Sequence, residues 1–197
     1  MPATFYWITW MVVIIACFFA NTYIRPRLYI FLCLSMCLYN VPFIQETDYI
    51  FVQTGFFLLF GIYFWNRTRR KKWEHAWLLL SSIGYSAVWI IHIIHPVWAV
   101  FPGISLLLAG VVFSLRLVIR DLEGRIGLWI FMNAGGSLLS YYVFSLYTEE
   151  GLVESGNMMT LTMKGLFILF IIYGVERMKQ SINKKKRSLR KKGSAFV

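Results

Sequence analysis

Long apolar runs alternate with short polar connections from one end of the chain to the other. WITWMVVIIACFFA opens the pattern, and YIFVQTGFFLLFGIYFW and AWLLLSSIGYSAVWIIHIIHP flank the polar stretch NRTRRKKWEH. The runs are continuous and of bilayer length, which predicts helices rather than the short residue-by-residue alternation of barrel strands. Inside lipid the backbone must satisfy its own polar groups, and a helix does so within one segment. Seven spans result, at about 3–23, 28–44, 49–65, 77–95, 101–119, 126–147 and 158–175. The expected fold is all-α, a polytopic membrane helix bundle in which residues 1–176 form one domain and 177–197 a basic tail. No linker is long enough to bound a second domain. Span four stops at Pro96, because the residue before proline is pushed out of helical geometry.

Charge gives the path its direction. The stretch between spans three and four holds Arg67, Arg69, Arg70, Lys71 and Lys72, and further cations lie at Arg25 and Arg27, in RDLEGR, and along the tail through Lys184, Lys185, Lys186 and Arg187. Of twenty Lys and Arg residues, Lys164 alone lies within a span on the side away from the basic connections. The other nineteen fall on alternate connections, in the last turn of span five, or in the tail. The intervening connections carry Glu46, Asp48, Glu149, Glu150 and Glu154 and no cation. The positive-inside bias then puts the amino end outside and the carboxyl end in the cytoplasm. Span one has no basic residue before it and no clear small-x-small cleavage site, so it reads as an uncleaved anchor. Arg116, in the last turn of span five, is expected to snorkel to the headgroups. Trp7, Trp10 and Trp98 mark the outer boundary and Trp65, Trp73, Trp77 and Trp129 the inner one, with Trp89 deeper.

Composition agrees: 58% hydrophobic and 18% aromatic residues exceed an ordinary soluble domain. The formal charge of +11 would suggest nucleic acid in a soluble protein, but topology accounts for it here, and no specific nucleic-acid binding is expected. The three cysteines lie inside spans and suggest no disulfide framework. Cys33 and Cys37, at i and i+4, read as small buried packing residues, with a soft-metal or redox pair as the competing reading.

Few polar residues sit within the apolar runs. Lys164 lies one to two turns inside span seven, where an ionisable group is costly and by default functional; the opposing reading has its stem snorkelling outward to Glu149, Glu150 or Glu154. Thr160 shares its face. With Gln53, Asn133, Asn40, His92 and His95 these residues outline an outward-facing polar pocket in the outer half of the bundle. His92 and His95, at i and i+3, share a face and suit metal, haem or proton transfer; against that, they serve as interfacial side chains beside Pro96, and no third or fourth ligand is visible. No metal or cofactor is therefore assigned. No CxxC, HExxH or phosphate-binding glycine loop appears, so no catalytic residues and no enzymatic activity are expected. The pairs Ser82/Ser86, Ser105/Ala109, Gly110/Ser114 and Gly136/Ser140 predict close helix packing, while Gly135 and Gly136 beside Asn133 admit a hinge instead.

The short amino end, the seven spans, the NRTRRKKWEH loop and the KKKRSLRKK tail together resemble the small bacterial integral membrane proteins of the YphA-like kind. The resemblance implies a multi-pass protein of the bacterial plasma membrane with no assigned catalytic residues. Three functions then compete. The first is a non-catalytic accessory or structural protein acting through helix contacts and a basic cytoplasmic face, in contact with an anionic inner leaflet and with a protein partner at the tail. The second is a small transporter or ligand sensor using the polar pocket. The third is a metal- or haem-binding redox protein.

Overall fold

The computed structural model describes residues 2–39, 46–94, 104–119, 121–147 and 155–193. Among them are seven α-helices and no strand: α1 Pro2–Phe19, α2 Arg25–Tyr39, α3 Glu46–Trp65, α4 Ala76–Ile94, α5 Ile104–Val118, α6 Leu122–Ser145 and α7 Ser155–Gly193. A single 3-10 turn, Lys72–His75, leads into α4. Each helix matches one of the seven apolar runs. Asn40, His95, Glu149 and Glu150 lie outside the described residues, as does the side chain of His92.

Helix ends follow local chemistry. Pro26 falls in the first turn of α2, where a missing N–H costs no hydrogen bond. Asp121 caps α6: its carboxylate accepts from the Gly124 N–H at 2.7 Å, and Glu123 adds negative charge to the first turn. α7 continues far past the expected end of span seven, through 39 residues to Gly193. At 1.5 Å per residue this is about 58 Å, well beyond the ~30 Å hydrocarbon core of a bilayer. Asn157–Asn183 is the one helix among the described residues that is long and apolar enough to cross a membrane on length and composition together; Ala3–Phe19 and Ile50–Trp65 are shorter apolar helices.

α6 is the axis of the bundle and packs against α3, α4, α5 and α7, while α1 packs against α2 and α7. Close approach requires residues without bulk. A Cβ on Gly61 would stand 2.8 Å from the Phe131 backbone nitrogen, and one on Gly127 2.6 Å from that of Trp65. These two contacts, with the Phe51–Tyr141 ring pair at the far end, make α3 and α6 antiparallel. On the other side Ser82 lies against Gly135 and Gly136, and the Ser86 and Ser140 hydroxyls are 3.1 Å apart, so α4 runs parallel to α6. The expected packing roles of Ser82/Ser86 and Gly136/Ser140 are thus realised in one interface. α6 runs unbroken through Gly135 and Gly136, so they form no hinge in this structure.

Phe5, Thr9, Val12 and Ala16 form the buried stripe of α1, at the three- and four-residue spacing of one helix face. The opposite face exposes Trp7, Ile14 and Phe18. Two of the tryptophans expected at the inner boundary turn into the bundle. Trp65 and Trp129 are buried: the Trp129 indole N–H donates to the Thr162 carbonyl at 2.9 Å with its ring on Gly165, and the Trp65 N–H points to His75 Nδ1 at 3.2 Å. Both rings replace helix-to-helix gaps left by glycine or by the turn into α4, whereas Trp7, Trp10, Trp73 and Trp77 are exposed. Cys33 and Cys37 are also exposed rather than buried, because Leu28, Phe31, Leu32 and Ser35 occupy the inward face of α2.

Candidate functional site

Among the described residues, the ion-paired groups gather at one end of the bundle, where the α1–α2 turn, the α3–α4 connection, the α5–α6 turn and the middle of α7 meet. Arg70 is the centre of this girdle. Its guanidinium bonds the Asp121 carboxylate at 2.7 Å, the Thr68 hydroxyl at 2.9 Å and the Trp65 carbonyl at 3.2 Å, and it lies 3.8 Å over the Trp65 ring. Glu74, one turn on, stands 3.6 Å from it. The connection between α3 and α4 is thereby tied to the cap of α6.

Three further ties complete the girdle. Arg27 of α2 faces Glu123 at 3.8 Å. Glu176 of α7 takes Arg116 at 2.6 Å and Arg125 at 3.9 Å, joining α5, α6 and α7. Arg177 donates to the Phe19 carbonyl at the end of α1, at 2.7 Å. Arg116 is therefore held in an ion pair with Glu176 instead of reaching alone to the headgroups. Arg125 is buried and also donates to the Ile119 carbonyl at 2.7 Å. Burial lowers its pKa from the ordinary arginine value, and Glu176 opposes that shift.

Every acid whose side chain is described, namely Glu74, Asp121, Glu123 and Glu176, is consumed in these pairs with arginine. The planar guanidinium suits the task, since it bridges a carboxylate and a backbone carbonyl at once. Arg67, Arg69, Lys71 and Lys72 are left exposed beside them. A cleft of about 580 Å³ opens between the α3–α4 connection and the α5–α6 turn, with Arg69, Arg70, Glu74 and Asp121 on its walls beside Trp65 and Trp77.

Of the polar residues anticipated in the outer half, Asn40, His95 and the His92 side chain lie outside the described residues, and the others are placed differently from one another. Gln53 and Asn133 are fully buried, Thr160 is half-buried, and Lys164 is exposed on the outside of the bundle. The phase of α7 explains this: Gly165 receives the Trp129 ring, and its neighbour is turned away by ~100°. Of the anticipated basic residues, Arg70 is engaged internally, whereas Lys184, Lys185, Lys186 and Arg187 lie on the helical continuation of α7. No group of three or more His, Cys, Asp or Glu side chains gathers among the described residues.

Asn133 donates to the Trp129 carbonyl at 2.8 Å, leaving its oxygen unpartnered, and both amide atoms of Gln53 are buried without a partner. A buried polar group without a hydrogen bond costs about 1–3 kcal/mol. Gln53→Leu is near in size and removes both atoms, so the purified variant is expected to melt higher than wild type. A lower melting temperature would show that the amide is stabilising through a group it holds in the membrane.

Sequence reasoning missed the pairing of Asp121 with Arg70 and of Glu176 with Arg116 and Arg125. Its trace was there, in four acids placed among the basic connections where the positive-inside bias has no need of them. No curated protein and no solved structure matches the chain. The family model described as YphA-like integral membrane protein covers residues 2–195, and the chain belongs to that family.

Proposed function

We propose that the protein is a non-catalytic docking platform of the bacterial plasma membrane, and that its cytoplasmic basic face holds an acidic protein partner. The single observation that carries this reading is the charge left over at the girdle. Once the four described acids are spent on internal pairs, Arg67, Arg69, Lys71 and Lys72 remain exposed on a connection anchored by Arg70. A rigidly held cationic patch pays little ordering entropy when it meets its partner. α7 adds a helical arm over residues 177–193, about 25 Å long at helical rise.

All seven helices cross the bilayer in this proposal, with the amino end outside and the carboxyl end in the cytoplasm. Several observations support that path. The charged ends of α2, α3, α5 and α6 and the middle of α7 meet at one level. The outward faces of α1 and α4 expose Trp7, Ile14 and Phe18 and Leu79, Leu80 and Ile83, apolar side chains that suit acyl chains. Both carboxylates on the cleft walls, Glu74 and Asp121, are committed to Arg70, which favours docking over acid–base chemistry.

Photo-crosslinking from position 73 in native membranes tests the proposal. Wild type is expected to capture one stoichiometric partner with an acidic surface, and raised salt should weaken the capture. The variant with Arg67, Arg69, Lys71 and Lys72 all changed to Gln should lose it at unchanged membrane level. Equal capture by both proteins would overturn the reading.

A further inference from the structure

We propose that the groove between α2 and α3 is a binding site for an anionic phospholipid, with Arg27 on the phosphate and an acyl chain along Ile30, Leu59 and Phe60. The groove has a volume of about 400 Å³ and is lined by Arg27, Ile30, Leu59, Phe60 and Tyr63. Its polarity is graded. Arg27 lies in the first turn of α2 at the charged girdle, and Ile30 is one turn further along the same face. Tyr63 and Leu59 make the corresponding step on α3. The groove thus leads from a cation and a phenol into purely apolar walls, which is the lengthwise pattern of a phospholipid.

It also opens outward. Ile30 is 56%, Leu59 70% and Tyr63 44% exposed, so the groove faces the medium that surrounds an integral membrane protein, and lipid is the molecule at hand there. Arg27 has donors to spare. Its partner Glu123 stands at 3.8 Å, beyond the length of a charge-assisted hydrogen bond, ~2.7–2.9 Å. A phosphate diester in the groove mouth would complete that coordination, and Arg67, four residues past Tyr63 and exposed at the same end of the bundle, adds a second positive charge that favours a headgroup with net negative charge over a zwitterionic one. The site does not depend on the docking of a protein at the basic face, and the test below reads lipid alone.

The full chain is reconstituted in nanodiscs holding equal amounts of phosphatidylglycerol and phosphatidylcholine, and lipid retained on release is counted by native mass spectrometry. Wild type is expected to keep one phosphatidylglycerol in preference to phosphatidylcholine. Arg27→Gln should cut that retention about tenfold, the loss expected for one charged hydrogen bond. Glu123→Gln frees Arg27 and should keep or raise retention. Leu59→Trp fills the groove at an exposed position and should lower it without affecting folding, so it decides the matter if Arg27→Gln folds poorly. Equal retention of the two lipids, or undiminished retention in Arg27→Gln or Leu59→Trp, would overturn the assignment, as would loss in Glu123→Gln.

Discussion

Gly127→Leu is expected to prevent the protein from accumulating in folded form, while Gly84→Leu is expected to leave it intact. Both glycines lie inside helices, so helix propensity treats them alike. Their surroundings do not. A Cβ on Gly84 meets nothing within 4 Å, whereas one on Gly127 meets the Trp65 nitrogen at 2.6 Å and the Gly61 carbonyl oxygen at 2.9 Å. Those are main-chain atoms of α3 and cannot rotate aside, so α3 and α6 would have to separate along the whole crossing. The milder alanine pair separates the two effects by sign. Gly84→Ala gains about 0.5–1 kcal/mol from propensity. Gly127→Ala gains the same but sets it against overpacking of typically ~1–3 kcal/mol, and it is expected to be the less stable protein. Thermal denaturation of the detergent-solubilised variants measures the difference; a Gly127→Ala protein as stable as Gly84→Ala would show that the helices do not cross there.

The second large effect concerns Arg70. Arg70→Leu removes the partner of Asp121 together with the bonds to Thr68 and the Trp65 carbonyl and the stacking on Trp65. Breaking a buried ion pair costs about 3–5 kcal/mol, and because the Asp121 side chain is 35% exposed the loss should fall at or below the lower end of that range. Arg69→Leu, next in the chain but exposed, should stay within about 0.5 kcal/mol of wild type. Arg70→Lys keeps the charge but not the planar fork, and an intermediate loss is expected. Melting temperatures of the three variants give the order. If Arg69 and Arg70 proved equivalent, the girdle would be a loose surface arrangement and the rigid presentation of Arg67, Arg69, Lys71 and Lys72 would lose its basis.

These two sites differ in how they were written in the sequence. Asp121 followed by Gly124 at the head of an apolar run is a visible cap, and Arg70 sits in the densest basic stretch of the chain. Their partnership joins positions 51 residues apart and is carried by no local pattern. Gly61 and Gly127 are harder still, because glycine is common in apolar helices and only the facing helix reveals which one is in contact. The polar residues of the apolar runs are hard to place for a related reason. Gln53, Asn133 and Lys164 all break apolar runs and look alike as a list, yet two are fully buried and one faces outward.

Seven helical segments, their order and the gathering of cations on alternate connections were determined by the sequence alone. Each depends on run length or on residue type along the chain, and neither needs a neighbour to be specified. Which face of each helix turns inward was decided only by the tertiary structure. In a soluble helix the polar face announces the outside, but here both faces are apolar, so hydrophobicity cannot tell Trp129 in the core from Trp7 at the surface. What tells them apart is the shape of the opposing helix: a glycine to receive a ring, a backbone near enough to exclude a methyl group, a carboxylate within reach of an arginine.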